Sequence, residues 1–518
     1  EWQEEVEAPR AAPSERGAAA GGGPDRPVDE EGDVVEDIVA SARSASVEAE
    51  VSGKSSYRPP FKMVRGVSDA TATEMLYPMH VVKVRDFLQM TEAEPHQALR
   101  ARGVAAPYNS EAAAAIFVSH QWCGGSHPDP YFRQLRVLQG LFVSAAAGSL
   151  RVDADILSTI YAGVGARTTH QRHFRGAMSW YMWYDYFSVP QPDVGRCDAE
   201  GELASSQSSV ETADANMRMA QAISSLPVYV SMCEHFFILA PRVQHEEGHE
   251  LDLVSWKTRG WCRLERAARA LSVGATSMVL LERPDTAFLI GPREYLLDAV
   301  GEGSFSVEED KARCAEVVGK LMVSKSVRLL REDKLHDFRR LSSLRQMMLR
   351  GLPMDWRESS MHASWASATR DPVDAFLLVH RLSSPTARAG PTTPLLLASV
   401  LGDEDLVRGL LGRRASTEER ERRNEAAYAL PRGARPLTLA ARGGHLAVVQ
   451  VLMEHRADVN ARTAIGVGPL MTASAVGSVA CISALLEGRA DMRARNRMGL
   501  GALELAIIFA RQEAVRAL

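Results

Sequence analysis

A carboxylate one helical turn from an indole is the first feature of this sequence with the makings of a reactive site. In the stretch Ser255-Trp-Lys-Thr-Arg-Gly-Trp-Cys-Arg-Leu-Glu-Arg-Ala-Ala-Arg-Ala-Leu271 a short loop turns at Gly260 and runs into a helix. Cys262, Leu264, Ala268 and Leu271 recur at helical spacing and supply an apolar stripe. The same periodicity puts Arg263, Arg266 and Arg269 mostly on the solvent side. Glu265 falls in the first turns, where free backbone amides and the helix dipole suit a carboxylate. Trp261 lies one turn earlier on the same side. A carboxylate beside an indole at a helix start makes a candidate ligand site. The plainer alternative is a solvated helix glutamate beside a core tryptophan.

The elements that must position Glu265 read as alternating strands and helices. Ala112-Ala-Ala-Ala-Ile-Phe-Val118 has the length and apolarity of a buried strand and ends at Ser119-His-Gln-Trp122. Asp129-Pro130 opens a helix through Leu141. The aromatic run Trp180 to Phe187, which holds Asp185, is a second strand, stopped by Ser188-Val-Pro-Gln-Pro192. Glu211 to Ile223 reads as a helix, Cys233 to Ala240 as a third strand and Thr276 to Leu281 as a fourth. That alternation predicts a parallel sheet with helices on both faces. Ligands of such sheets sit outside the carboxyl ends of the strands, which is where Ser119, His120, Asp185 and Glu265 converge. His120, Cys123 and His127, with Cys262, are zinc-ligand residue types, but no paired spacing accompanies them and no metal is assigned. Cys123 beside His120 reads either as a thiol nucleophile or as a reduced buried cysteine.

Of the 518 residues 46% are hydrophobic and 24% charged, which fits two to four globular domains. The net charge of −5 gives no reason to expect nucleic-acid binding. Six cysteines without a CxxC pair fit a reducing compartment, and no apolar run reaches the roughly 20 residues of a membrane span. A soluble cytoplasmic protein is expected. Residues 1–65 read as a disordered acidic tail, with 14 acidic against 6 basic side chains in the first 60. Residues 66–110 read as a helical lead-in on the pattern Met75, Leu76, Met79, Val82, Val84, Phe87 and Leu88. Residues 111–300 are the α/β domain. Residues 301–360 are a helical connector, in which Leu335, Phe338, Leu341, Leu344 and Met348 recur every three or four positions.

Residues 361–518 are a repeat array. Pro436, Pro469 and Ala502 stand 33 apart, as do Ala457-Asp-Val and Ala490-Asp-Met. Pro394 opens an earlier copy, and the surplus of nine residues before Pro436 fits a charged insertion around Thr417 to Ala427. A degenerate further copy is expected at Ala363 to Leu382. Pro436 to Asn460 closely resembles one ankyrin repeat, turn to turn, and 33 is the ankyrin period. The expectation is about four repeats, the last cut short in its second helix, forming a surface that binds a protein partner.

The α/β domain carries a second resemblance, over roughly 170 residues. Ile116-Phe-Val-Ser119 looks like the opening strand of Toll/interleukin receptor (TIR) domains, and Trp261-Cys-Arg-Leu-Glu265 like the Trp-Cys-x-x-Glu segment of their plant-type members. Trp183-Tyr-Asp-Tyr-Phe-Ser-Val-Pro-Gln191 is similar to a stretch of the related heterokaryon-incompatibility domains. The resemblance implies α/β plus all-α architecture: a flavodoxin-like (TIR-like) parallel sheet, a helical connector and a C-terminal ankyrin solenoid. It also implies NAD as substrate, with no cofactor, and Glu265 as the catalytic carboxylate that stabilises an oxocarbenium-like transition state as nicotinamide departs. Under that reading Trp261 or Trp122 stacks on a base, Ser119 and His120 bond sugar or phosphate, Asp185 is a second carboxylate, and the TIR-like domain self-associates. The loop His120-Gln-Trp122 and the long segment Val143 to Ala177 depart from the family pattern. Two readings stand: an NAD glycohydrolase with a protein-binding array, and a non-enzymatic scaffold in which both domains mediate protein interaction. Neither involves a membrane or nucleic acid.

Overall fold

The computed structural model describes residues 75–154, 174, 176–191, 206–272, 278–290, 298–353, 371–424 and 431–518. The acidic tail and Cys197 lie outside them. Ten strands are described: β1 His80–Lys83, β2 Ala105–Pro107, β3 Ala115–His120, β4 Arg151–Ala154, β5 Tyr181–Trp183, β6 His235–Leu239, β7 Val243–Gln244, β8 Glu250–Leu251, β9 Met278–Arg283 and β10 Thr286–Ile290. Eight form one sheet in the order β2-β1-β5-β3-β6-β9-β10-β4, and β7 and β8 form a separate hairpin. The central strands β5, β3, β6 and β9 are mutually parallel, while β1 and β10 run antiparallel to their inner neighbours.

The central strands are apolar throughout because both faces of the sheet are covered. Successive side chains alternate between two cores. Ala115, Phe117, Phe236, Ile238, Met278 and Leu280 face one, and Ile116, Val118, Phe237, Leu239, Val279 and Leu281 face the other. In the first core Phe117 is stacked with Trp183 at 4.3 Å and with Phe236 at 5.2 Å between centroids. Helix α1 (Arg133–Ala146) covers the second core with Leu135, Leu138, Leu141 and Phe142. A single helical turn, α2 (Asp185–Ser188), follows β5. Helix α3 (Ser206–Met232) covers the first core with Leu226, Tyr229 and Val230. Then come α4 (Leu253–Thr258) and α5 (Gly260–Leu271), the helix that carries Glu265.

The connector begins with α6 (Asp310–Arg331), which packs on α5 and adds Cys314, Val318 and Met322 to the first core. Helices α7 (Leu335–Ser343) and α8 (Arg345–Leu349) follow. Phe338, Leu341, Leu344 and Met348 are buried here together with Leu396, Val400 and Leu439 of the repeats. The sheet, connector and first repeats therefore share one hydrophobic core.

Four helix pairs make up the array: Pro394–Leu401 with Glu404–Gly412, Pro436–Gly443 with Leu446–Glu454, Pro469–Val476 with Val479–Glu487, and Ala502–Ile508 with Gln512–Ala517. In the first three pairs the leading helix starts on proline and stops at a left-handed glycine: Gly402, Gly444 or Gly477. After the second helices, Arg414, Arg456 and Arg489 also take positive φ. Arg381 shows the same feature after helix Pro372–Val379, which packs on Glu404–Gly412 as the second helix of a preceding copy. The remainder of that degenerate copy lies outside the described residues. The last pair has its second helix in place through Ala517.

Several expectations need correction. The segment read as a helical lead-in supplies β1 and β2 as well as two short helices, Val84–Phe87 and His96–Ala101. Its valines satisfy a two-residue period as well as a helical one, and pairing with β5 decides between them. The strand expected over Trp180 to Phe187 ends at Trp183. There the Asp185 carboxylate accepts from the Tyr186 N–H and the Ser188 hydroxyl from the Tyr184 N–H, so local bonds replace the ladder. Arg263, Arg266 and Arg269 are all buried, not on the wet side. Helix α5 is enclosed by α3, α4 and α6, and each guanidinium is bonded inside. Arg263 donates to the carbonyls of Lys257 and Ala299, Arg269 to those of Cys233 and Glu234, and Arg266 to Asp298.

Candidate functional site

Strand β3 ends in Ser119 and His120, both buried, and the loop after it is fixed by Gln121. The Gln121 amide donates to the Asp252 carbonyl at 3.0 Å and accepts from the Ser255 hydroxyl at 3.0 Å. Asp252 and Ser255 form the capping box that starts α4. One glutamine thus ties the end of β3 to the start of the α4–α5 unit. A second tie runs from the Cys262 thiol to the His120 carbonyl at 3.3 Å. Between these ties Glu265 meets the strand end, and the Ser119 hydroxyl donates to its Oε2 at 2.5 Å.

Arg259, an extended residue between α4 and α5, lets the chain restart as a helix. Gly260 takes no positive φ. It is required by close approach: a Cβ there would sit 2.1–2.4 Å from the Phe305 ring.

Beside this pair, His120 Nε2 bonds Asp185 Oδ1 at 2.8 Å, and the Trp122 indole N–H donates to Asp185 Oδ2 at 2.9 Å. The His120 ring stacks on Tyr184 at 4.0 Å. Burial works against the imidazolium, but the charges of Asp185 and Glu265 and the bond to Asp185 outweigh it and raise the His120 pKa. Burial likewise opposes the Asp185 carboxylate. The charge of His120 and the bonds from His120, Trp122 and the Tyr186 N–H override it and hold Asp185 below its ordinary range. Asp185 and His120 therefore each favour the other's charged form.

Glu265 is in the opposite condition. Burial pushes its carboxyl up to about 8, and the bond from Ser119 and the charge of His120 only partly offset that. The charge of Arg259 lowers it slightly as well, and that of Asp185 raises it. Two carboxyl groups driven apart in protonation at the carboxyl ends of parallel strands have the electrostatic make-up of an acid–base site.

The structure thus brings together Ser119, His120, Trp122, Asp185 and Glu265. Trp261 is engaged elsewhere, donating its indole N–H to Asp310 of α6 at 3.1 Å. The zinc-ligand types in the β3 loop are separately committed. His120 pairs with Asp185, His127 bonds the Ala93 carbonyl, and Cys123 accepts from the Gln134 amide. Burial pushes the Cys123 thiol up to about 12, which removes the thiolate that nucleophilic attack needs. Gln121 and Tyr184 complete the site, though no motif in the sequence announced them.

The array presents its own surface, an open groove of about 840 Å³ whose walls include Arg388, Glu419, Arg422, Arg432, Arg435 and Arg462.

Residues 437–518 match the family model for ankyrin repeats (three copies). No curated protein matches the chain. Ankyrin repeats are a protein-interaction module, and no described helix is long and apolar enough to cross a membrane.

Proposed function

We propose that the sheet domain is a TIR-like, flavodoxin-type NAD glycohydrolase and that the ankyrin array selects the protein partner it works beside. Three features support the fold and activity. Taking the central parallel strands in chain order, their order across the sheet is second, first, third, fourth, as in flavodoxin-like sheets. Ser119 and His120 end β3, Asp185 follows β5, and Glu265 reaches them from helix α5. The carrying observation is Glu265, a part-buried carboxyl raised to about 8 and held by a serine hydroxyl.

The nicotinamide–ribose bond of NAD joins a cationic ring to a sugar. A pyridinium docked against Glu265 drives the carboxyl to ionise, because an adjacent positive charge offsets the desolvation that raised it. The carboxylate then holds the ribose hydroxyls in place of Ser119 and stabilises the oxocarbenium-like centre as neutral nicotinamide leaves. The imidazolium of His120, fixed by Asp185, suits phosphate or ribose oxygens. The alternative, a non-enzymatic scaffold, is favoured by one observation: Trp261, a candidate base-stacking residue, is bound to Asp310.

The test is nicotinamide release from NAD by the full chain immobilised on beads, beside Glu265→Gln. Release by the parent with at least a ~100-fold loss in the variant supports the enzyme. No release by the folded parent leaves the scaffold.

A further inference from the structure

The β7–β8 hairpin carries His245-Glu-Glu-Gly-His249 at its tip. The His245 N–H donates to the His249 carbonyl at 2.9 Å and the Gly248 N–H to the His245 carbonyl at 2.9 Å, so the two histidines face each other across the turn. Gly248 takes φ 90°, a left-handed value open to glycine at little cost. The imidazoles stack with centroids 4.4 Å apart. Glu247 Oε2 lies 3.7 Å from Nδ1 of His245 and 4.0 Å from Nδ1 of His249. One ligand atom from each of the three residues lies within 4.8 Å of the other two. A tetrahedral zinc ion with bonds of ~2.0–2.2 Å sets its ligands roughly 3.4 Å apart, so a small closure of the hairpin completes the set.

The intervening Glu246 faces the other way. Its N–H donates to the Cys123 carbonyl at 2.8 Å, and its carboxylate accepts from the Gly125 N–H at 2.5 Å. Gly124 is pressed against it so closely that a Cβ would lie 2.5 Å from a carboxylate oxygen. The hairpin is thereby docked on the loop that follows Ser119 and His120.

We propose that His245, Glu247 and His249 bind a divalent transition ion of the zinc class, and that the ion fixes this hairpin over the β3 loop. Two imidazoles and a carboxylate are the donor set that zinc takes, with water in the remaining position. The Glu247 N–H donates to His245 Nδ1 at 3.2 Å. The ion either replaces that bond or takes the other ring nitrogen of His245. The site is independent of whether Glu265 is catalytic.

The full chain, stripped with a chelator, is titrated with zinc by calorimetry near neutral pH, beside His249→Ala, Glu247→Gln and the control His127→Ala. The parent binds one zinc with micromolar affinity through this site. His249→Ala and Glu247→Gln lose at least about tenfold, and His127→Ala is unchanged. Cobalt in place of zinc gives ligand-field absorption that disappears in His249→Ala. More than half of the His249 side chain is exposed, so its replacement leaves the fold intact, as a metal-free melt verifies. Absence of zinc binding by the parent, or parent-like binding by His249→Ala, overturns the proposal.

Discussion

Glu265 and Asp185 are both carboxyl groups at the edge of the same core, and their neighbours decide their protonation. Asp185 has a cation and three donors, whereas Glu265 has one hydroxyl and a burial penalty. Because the folded pKa of Glu265, about 8, exceeds its ordinary value of 4.5, the folded state keeps a proton that the unfolded chain releases. Stability therefore falls as pH rises from about 4.5 to about 8. Glu265→Gln removes this dependence. We expect it to melt like the parent near pH 4 and to gain about 2 kcal/mol at pH 8, less than the full linkage value because the carboxyl is partly exposed. Urea titrations at the two pH values check this. Ser119→Ala deletes the bond that favours the carboxylate, so it raises the Glu265 pKa further, which carboxyl NMR reads directly.

At the scale of elements, α5 is specified by what surrounds it. We expect Gly260→Ala to destabilise the chain by about 2–3 kcal/mol in denaturant unfolding, since its Cβ collides with the Phe305 ring. Strands β3, β6 and β9 were legible as apolar runs bounded by turn residues, and the repeat helices by the prolines at their starts, whereas the stretch before Gly260, read as a loop, is helix α4 capped by Asp252. Strands β1, β2 and β4 were not legible, since they are three or four residues long and their pairing is set by distant partners. The burial of Arg263, Arg266 and Arg269 was also hidden: periodicity places residues on a face without saying what covers it. Ser119, His120, Asp185 and Glu265 could be grouped from the sequence because strand ends are where such sheets bind ligands. The bond of Trp261 to Asp310 was not legible, because the two residues are 49 apart in sequence. The grouping of His245, Glu247 and His249 was not legible, because only the hairpin brings the two imidazoles together.

At the scale of the whole molecule, charge networks among the described residues join the repeats to the rest. Arg340 of α7 and Glu421 pair at 2.6 Å with both side chains wholly buried, and Arg340 also bonds the Thr392 hydroxyl. Glu421→Gln removes the buried carboxylate that Arg340 pairs with, and we expect a loss of about 3 kcal/mol in urea unfolding. Asp298 is shared by Arg511 of the last repeat at 2.7 Å and Arg266 at 3.1 Å. Arg266 adjoins Glu265 in sequence, so Asp298 ties the last repeat to the helix that carries the candidate carboxylate. The most direct measurement is the pH dependence of kcat/KM for nicotinamide release by the full chain. A limb that rises through about pH 8, moves upward in Ser119→Ala and vanishes with the activity in Glu265→Gln establishes an ionised Glu265 as the catalytic group. A profile flat from pH 6 to 9, or equal release by the parent and Glu265→Gln, contradicts it.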